Sequence, residues 1–410
     1  MDFEYSDKTK SMLEKVTTFL EQHVFPNDET YHRQIVDSGD KHHHPAILEE
    51  LKDKARAEGL WNLFLPDSTY GAGLTNLEYA PLAEAMGRSL WASEVFNCNA
   101  PDTGNMEIMA EFGSEAQKKE WLEPLLDGKI RSCFSMTEPA TAGSDPTQLA
   151  TRAVREGDEY VINGHKWFTS NASHPNCKIA IAMVVSDPEA PRHQRASMIL
   201  VPFGTPGFTV VRPVAVFNDD GGHGHCEVRY EDCRVPVSNL LGEEGGGFTI
   251  AQARLGPGRI HHCMRGIGGA EQALKLMCER AQTRWTHGSL LAEKGLIQSW
   301  IAESRMAIDQ ARLLVLYAAW KMDTMGKRQA RQEISMVKTV VANMFQTVCD
   351  HAIQLFGARG TTNEEPLAKL WAYARVMRIV DGPDEVHNMV VARRELGKYA
   401  QLAETAPKPR

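Results

Sequence analysis

The sequence contains no run of about 18 apolar residues, so no stretch is long enough to cross a bilayer as a helix. Its opening, MDFEYSDKTKSMLEKVTTFL, carries acidic residues and amphipathic spacing where a leader would have an apolar core or an arginine-rich face; the cytoplasm is the expected location. No Cys-x-x-Cys pair occurs and the 8 cysteines lie far apart, which excludes a disulfide scaffold and suits a reducing compartment. A basic block is also missing. The formal charge of −8 is spread along the chain, so nucleic acid is not an expected partner. Neither G-x-G-x-x-G after a strand nor G-x-x-x-x-G-K-[ST] is found, and any dinucleotide must be held without a Rossmann crevice or a P-loop.

What is present is enough chain, at 410 residues and 42% hydrophobic, for two or three folded units. Up to about residue 131 the apolar residues recur at helical spacing, as in Met12, Val16, Phe19 and Leu20, and the segment is expected to be an all-helical domain, 1–131. From 132 to 245 the period shortens. EYVINGHKWFTSN, KIAIAMVVS, RASMILVPF and GFTVVRPVAVF are β-branched or aromatic runs separated by Gly, Pro, Asn and Asp, which predicts an antiparallel β domain. Helical spacing returns in long segments over 246–410, including EISMVKTVVANMFQTVCDHAIQLFG and LAKLWAYARVMRIV, as expected of a helical bundle. The fold class is therefore α+β, in the order helices, sheet, helices.

Four polar stretches invite a chemical reading. HHHPAILEE places three histidines side by side, but sequence neighbours do not converge on one ion as i,i+4 ligands do, so no metal site is expected there. CFSMTEPATAGSDPTQLATRA sets Thr137, Glu138, Thr141, Ser144 and Asp145 among small residues: either a loop whose amides and hydroxyls meet a planar polar group or phosphate, or a surface loop built from Ser and Thr turns. In KWFTSNA, strand alternation predicts Trp167 and Thr169 on one face and Phe168 on the other, forming either a wall for a heteroaromatic cofactor or a core tryptophan beside a satisfied threonine. In RIVDGPDEVHNMVVARREL, Asp381 either starts the following helix or takes a proton from a substrate. The adjacent His261 and His262 cannot share a target and are expected to be structural or solvent-facing.

SMTEPATAGSD, KWFTSNA, RWTHGSLLAE, AIQLFGARGTTNEEPLAKL and RIVDGPDEVHNMVVARREL, in that order, resemble the acyl-CoA dehydrogenase family over nearly the whole chain. The resemblance implies an N-terminal helical domain, a middle antiparallel β domain and a C-terminal four-helix bundle, with FAD as cofactor. By position, Phe134, Met136, Thr137 and Ser144 resemble the residues around the flavin ring and pyrophosphate, while Trp167 and Thr169 resemble the pair that packs on and bonds to the ring. Arg284 resembles the arginine reaching a partner subunit's pyrophosphate, and Gln354 with Gly357 the neighbouring turn. Pro383 and Glu385 are implied flavin contacts; Ser144, Arg259 and Gly382 are implied contacts of the acyl-CoA substrate.

The implied reaction forms a trans-2-enoyl-CoA: Asp381 removes the α-proton of the thioester and the β-hydride passes to flavin N5. Electrons then pass to an electron-transferring flavoprotein, and the subunits form a homodimer or homotetramer. The chain departs from the common pattern in several places, three of them near the reaction. Its carboxylate is aspartate, one methylene shorter than the usual glutamate; TEPATAGSD is one residue longer between Pro139 and Ser144; and Gly258 does not supply the alternative glutamate base of some relatives. An acyl-CoA oxidase of the same fold, or a helical interaction protein with no occupied site, are the competing readings.

Overall fold

Helices and strands follow one another in three blocks along the chain of this computed structural model, which describes residues 4–217 and 224–401. The first block is helical: α1 (Asp7–Phe19), α2 (Asp28–Ser38), α3 (Ala46–Ala57), α4 (Asn76–Met86), α5 (Ala92–Val95), α6 (Asp102–Phe112), α7 (Glu115–Gln117) and α8 (Glu123–Leu126). Strands come next, as β1 (Arg131–Ser135), β2 (Arg152–Glu156), β3 (Glu159–Ser170), β4 (Cys177–Val185), β5 (Ala196–Pro202), β6 (Phe208–Val214), β7 (His225–Pro236) and β8 (Leu240–Leu241). Then α9 (Gly247–Thr283), a hairpin of β9 (Trp285–Thr286) and β10 (Ser289–Leu290), α10 (Gly295–Met325), α11 (Arg331–Phe356), α12 (Leu367–Met377) and α13 (Asp384–Gly397) complete the chain. No helix among the described residues is long and apolar enough to cross a membrane.

By contacts the chain divides into two units that do not follow these blocks. One comprises Thr17–Leu74 and Trp91–Gly258. Its sheet runs in the order β6-β7-β3-β2-β4-β5-β8, with β1 paired to β4. Inward residues alternate along the strands, so Cys226, Val228 and Tyr230 of β7 meet Tyr160 and Ile162 of β3 in one buried cluster. The sheet is antiparallel in most pairings, but β1 runs parallel to β4, as does the single β2 pair Arg152↔Val185. Residues 136–151 leave the sheet after β1 and return at β2 further along the same strand. That excursion supplies the length a parallel neighbour needs and a hairpin cannot give.

The other unit comprises Met1–Val16, Thr75–Leu90 and Arg259–Arg410. Apolar residues spaced to share one helix face are turned inward: Ile260, Cys263, Met264 and Ile267 on α9, and Val337, Val341, Phe345 and Val348 on α11. The start of α4 is fixed twice. Thr75 and Glu78 form a reciprocal capping box, and Asp323 accepts the Asn76 and Leu77 amides at 3.0 and 2.8 Å.

Where α4 crosses α9 the backbones touch. A Cβ on Gly268 would stand 1.9 Å from the Glu84 carbonyl oxygen, and one on Gly87 would stand 2.1 Å from that of Arg265. Neither obstacle is a flexible side-chain end, so Gly268→Ala must push the helices apart. An overpacking cost of about 1–3 kcal/mol is expected, read as a fall in the urea midpoint with an unchanged slope.

Candidate active site

In the sheet-bearing unit, the excursion 136–151 is held from behind by a buried ion pair. Lys166, fully buried, donates to the Met136 carbonyl at 2.8 Å and to Glu138 at 3.0 Å. The Glu138 carboxylate also accepts from the Ala150 and Thr151 amides at 2.7 and 2.9 Å, closing the excursion at both ends. Burial pushes Lys166 down to about 8 against the pull of Glu138. Burial opposes the Glu138 charge too, yet Lys166 and the two amides hold that carboxyl below its ordinary value. The Glu138 carboxylate is spent on the loop itself. Asp145 is likewise occupied, by Thr147 and by Arg192 at 2.9 Å. Ser144 stands exposed at the tip, while Met136 and Thr137 are half-buried.

The Trp167 amide donates to the Thr137 carbonyl at 3.0 Å, so the excursion and β3 meet at these two residues. Strand alternation fails there. Phe168 has φ +52 and the β3–β7 register shifts between Lys166 and Thr169, a bulge that brings the Trp167 and Phe168 rings into edge contact at 4.8 Å. Trp167 is half-buried and Phe168 exposed, whereas Thr169 is buried with its hydroxyl 3.5 Å from Ser135. The expected shared face of Trp167 and Thr169 is therefore corrected: the bulge inserts a residue and breaks the period. Phe134, half-buried on β1, lies under the Arg254 guanidinium at 4.0 Å.

In the helical unit, Asp381 occupies a turn between α12 and α13. Its φ is +55 and that of Gly382 is +103, a left-handed pair in which a Cβ on Gly382 would stand 3.0 Å from His387. The Asp381 carbonyl accepts from Arg259 Nε at 2.7 Å and lies 3.3 Å from His387 Nε2, which must carry the proton because a carbonyl only accepts. The Asp381 side chain is 20% exposed, with Oδ2 3.5 Å from His262 Nε2. Helix initiation falls to other residues. Pro383 is the N-cap of α13, and the acidic residues of its first turn are Asp384 and Glu385. Asp384 accepts from Arg378 at 2.8 Å and Asn343 at 3.1 Å; Glu385 is exposed. Arg284, Gln354 and Gly357 are exposed at the C-terminal ends of α9 and α11, Gly357 with φ +66.

His387 is 2% exposed, and burial together with Arg259 and Lys338 pushes its imidazole down to about 4. Unfolded, the ring titrates near 6.5. Because the folded value is the lower one, the stabilisation is complete above about pH 6.5 and is lost as pH falls toward 4, by roughly 3 kcal/mol in all. Urea midpoints at pH 7, 5.5 and 4.5 should fall in that order, with a shallower fall in His387→Gln.

Family models for the N-terminal, middle and C-terminal domains of acyl-CoA dehydrogenase match residues 6–129, 133–233 and 245–396. The chain belongs to the acyl-CoA dehydrogenase family. It is 53% identical to the Mycobacterium tuberculosis protein named as acyl-CoA dehydrogenase FadE2, over 97% of this chain and 98% of that one. Mouse acyl-CoA dehydrogenase family member 10 is 52% identical over 98% of this chain, which spans only 38% of that longer protein. Among solved structures, Megasphaera elsdenii butyryl-CoA dehydrogenase is 28% identical with a TM-score of 0.82, covering 97% of this chain and 100% of that one.

This acyl-CoA dehydrogenase is an FAD-dependent oxidoreductase, and its residues fit that cofactor. The sheet-bearing unit offers a half-buried indole beside the Thr137 peptide and an exposed hydroxyl at Ser144. The helical unit offers an exposed guanidinium at Arg284 and an open glycine at Gly357, with nothing within 4 Å of its Cβ position.

His262, expected with His261 to be structural or solvent-facing, is mostly enclosed, its side chain 16% exposed. It faces Asp381 from α9, one turn beyond Arg259, and the i,i+3 spacing of Arg259, His262 and Arg265 was the signal for a shared helix face. His261 points the other way, fully enclosed against the Tyr79 ring at 5.1 Å. His44 was read as part of a loop. It comes near Glu94 and His174, with ligand atoms within 4.8 Å of one another. Glu94, however, already pairs with Lys52 and Arg131, each at 3.1 Å, and two buried cations repel a third positive charge; the cluster serves an ion-pair network.

Proposed function

We propose that Asp381 is the base of this flavin-dependent acyl-CoA dehydrogenase, removing the α-proton of an acyl-CoA thioester so that a trans-2-enoyl-CoA forms. The observation that carries the reading is the turn itself. Asp381 sits in a left-handed conformation, its carbonyl is held by Arg259, and its carboxylate is not used to cap α13. A carboxylate whose own peptide is fixed is held in direction through the backbone, which suits a general base. Bound FAD supplies the acceptor for the hydride leaving Cβ.

The neighbouring residues take supporting parts in this reading. Gly382 lets a substrate approach the backbone closely, and Ser144 offers its exposed hydroxyl to the same substrate. Arg259 orients the base and carries positive charge toward the acyl-CoA. Met136, Thr137, Trp167 and Thr169 would hold the flavin ring and Arg284, Gln354 and Gly357 the pyrophosphate, with Pro383 and Glu385 as further flavin contacts. The apolar residues Met306, Leu313, Tyr317 and Trp320 are exposed along α10 at spacings that share a helix face, which suits a homodimer or homotetramer. Electron-transferring flavoprotein is the proposed acceptor, and the free cysteines, most of them buried, suit the cytoplasm.

The test is anaerobic reduction of the purified yellow protein by a panel of straight, branched and hydroxylated acyl-CoA thioesters. Bleaching of the flavin band with release of the enoyl product is expected for at least one class. A properly bound flavin that stays oxidised across the panel overturns the assignment.

A further inference from the structure

Asp381 and His262 approach each other with the rest of the pair's surroundings already fixed. Arg259, His262 and Arg265 stand three residues apart on α9. Arg259 holds the Asp381 carbonyl at 2.7 Å, His262 presents Nε2 to the carboxylate at 3.5 Å, and the Arg265 guanidinium lies 3.2 Å from His262 Nδ1. From α12 the Tyr373 hydroxyl lies 3.1 Å from the same Nδ1. Burial keeps that phenol neutral by raising its pKa, so it retains a proton to donate.

This arrangement decides where the imidazole proton sits. A guanidinium has five N–H donors and no acceptor, so the nitrogen facing Arg265 must accept. A neutral ring that accepts at Nδ1 carries its single proton at Nε2, the atom turned toward Asp381. A second proton would have to go onto Nδ1, between the Arg265 guanidinium and the Tyr373 hydroxyl, and the fixed positive charge opposes it.

The other charged and titratable groups around the carboxylate come from neighbouring elements: Arg259 and Cys263 on α9, Lys338 on α11, and Asp384 and His387 on α13. Arg259 and His387 are directed at the Asp381 carbonyl and Lys338 at the Met377 carbonyl, while His262 Nε2 is turned toward the carboxylate oxygen.

We infer that His262 is a positioning residue for the base: as its Nε2–H tautomer, fixed by Arg265 and Tyr373, it donates to Asp381 Oδ2 and sets the direction of the carboxylate. The inference rests on the reading of Asp381 as base and deepens it. A shorter acid cannot swing as far toward the substrate, so its direction must be held from outside, and an error of about 1 Å can cost roughly a hundredfold in rate. The 3.5 Å separation exceeds that of a formed N–H···O bond, and contacts of this kind close up when substrate expels water.

Two measurements test it. In the 15N-histidine-labelled protein, the His262 resonance, identified by its loss in His262→Gln, is expected to report a neutral Nε2–H ring at pH 7.5. An Nδ1–H ring or an imidazolium overturns the inference, and this readout needs neither turnover nor a folded alanine variant.

The second is the pH profile of flavin reduction. His262→Ala should move the acid limb upward by about one pH unit and lower the reduction rate about tenfold to a hundredfold, with KM changed less than about threefold. His262→Gln, which keeps an N–H donor, should recover most of the loss. If Asp381→Asn is inactive while His262→Ala keeps both limb and rate, the positioning role is wrong and the base assignment stands. If Asp381→Asn is fully active, the base assignment fails first.

Discussion

Asp381→Asn is expected to slow flavin reduction by acyl-CoA about 10²–10⁴-fold while the protein still purifies yellow. The amide matches the carboxyl in shape, so the turn and the Arg259 bond to the residue 381 carbonyl are retained. What disappears is a basic oxygen, and no neighbour replaces it: Asp384 is committed to Arg378 and Asn343, and Glu385 is exposed on the first turn of α13. Some stability should also be lost. Burial already pushes Lys338 below its ordinary pKa, with Asp381 among the charges that resist the shift, and the neutral amide removes that support. A melting point lower by a few degrees with flavin retained is the expected pairing.

Asp381→Glu is the informative companion. Keeping the charge but adding a methylene drives the carboxylate past the position that the left-handed turn and His262 define. A rate loss near a hundredfold is expected even though glutamate is a competent base. If instead glutamate equals or exceeds the native residue, the local backbone has not adjusted to the shorter acid.

Much of this architecture was legible because it is local. The long helices α9, α10 and α11 announce themselves through apolar residues three and four apart, and β3, β4, β5 and β6 through β-branched runs bounded by turn residues. The strand β7 could have been read from Cys226, Val228 and Tyr230 alternating with Glu227, Arg229 and Glu231. The site residues read poorly for a different reason. Nothing in RIHHCMRG states that His262 meets a carboxylate 119 positions later, because that contact exists only once α9 has packed against the α12–α13 turn. The bulge at Phe168 was hidden likewise, since its positive φ comes from pairing with β7 and not from a glycine. The part Glu138 plays in closing the 136–151 excursion was hidden too, because the sequence does not show that Lys166 pairs with it.

The second large effect is structural and lies in the sheet-bearing unit. Arg131 is 2% exposed at the start of β1, with Nε 2.9 Å from Asp102 and NH1 3.1 Å from Glu94. Burial opposes the guanidinium charge, but Asp102 and Glu94 hold its pKa above the ordinary value. Asp102 carries more than this pair: it accepts the Ser132 amide at 2.6 Å and Asn171 Nδ2 at 3.0 Å, tying α6 to β1 and to the end of β3. From Ser132 the network continues through Asn105 to Arg254 and so to the guanidinium over Phe134.

Removing one member leaves the others buried and charged. Asp102→Ala should therefore destabilise the protein by about 3–5 kcal/mol, more than the loss of its individual hydrogen bonds suggests. Arg131→Met should cost a comparable amount, because Asp102 and Glu94 then lose the guanidinium that lies between their charges. The double variant Asp102→Leu with Arg131→Met separates uncompensated charge from lost packing. If charge dominates, the pair of changes costs clearly less than the sum of the single ones. Urea denaturation of the four proteins at pH 7 measures this directly. Single variants within about 1 kcal/mol of the parent would mean that water reaches the network and that it does not hold β1 in register.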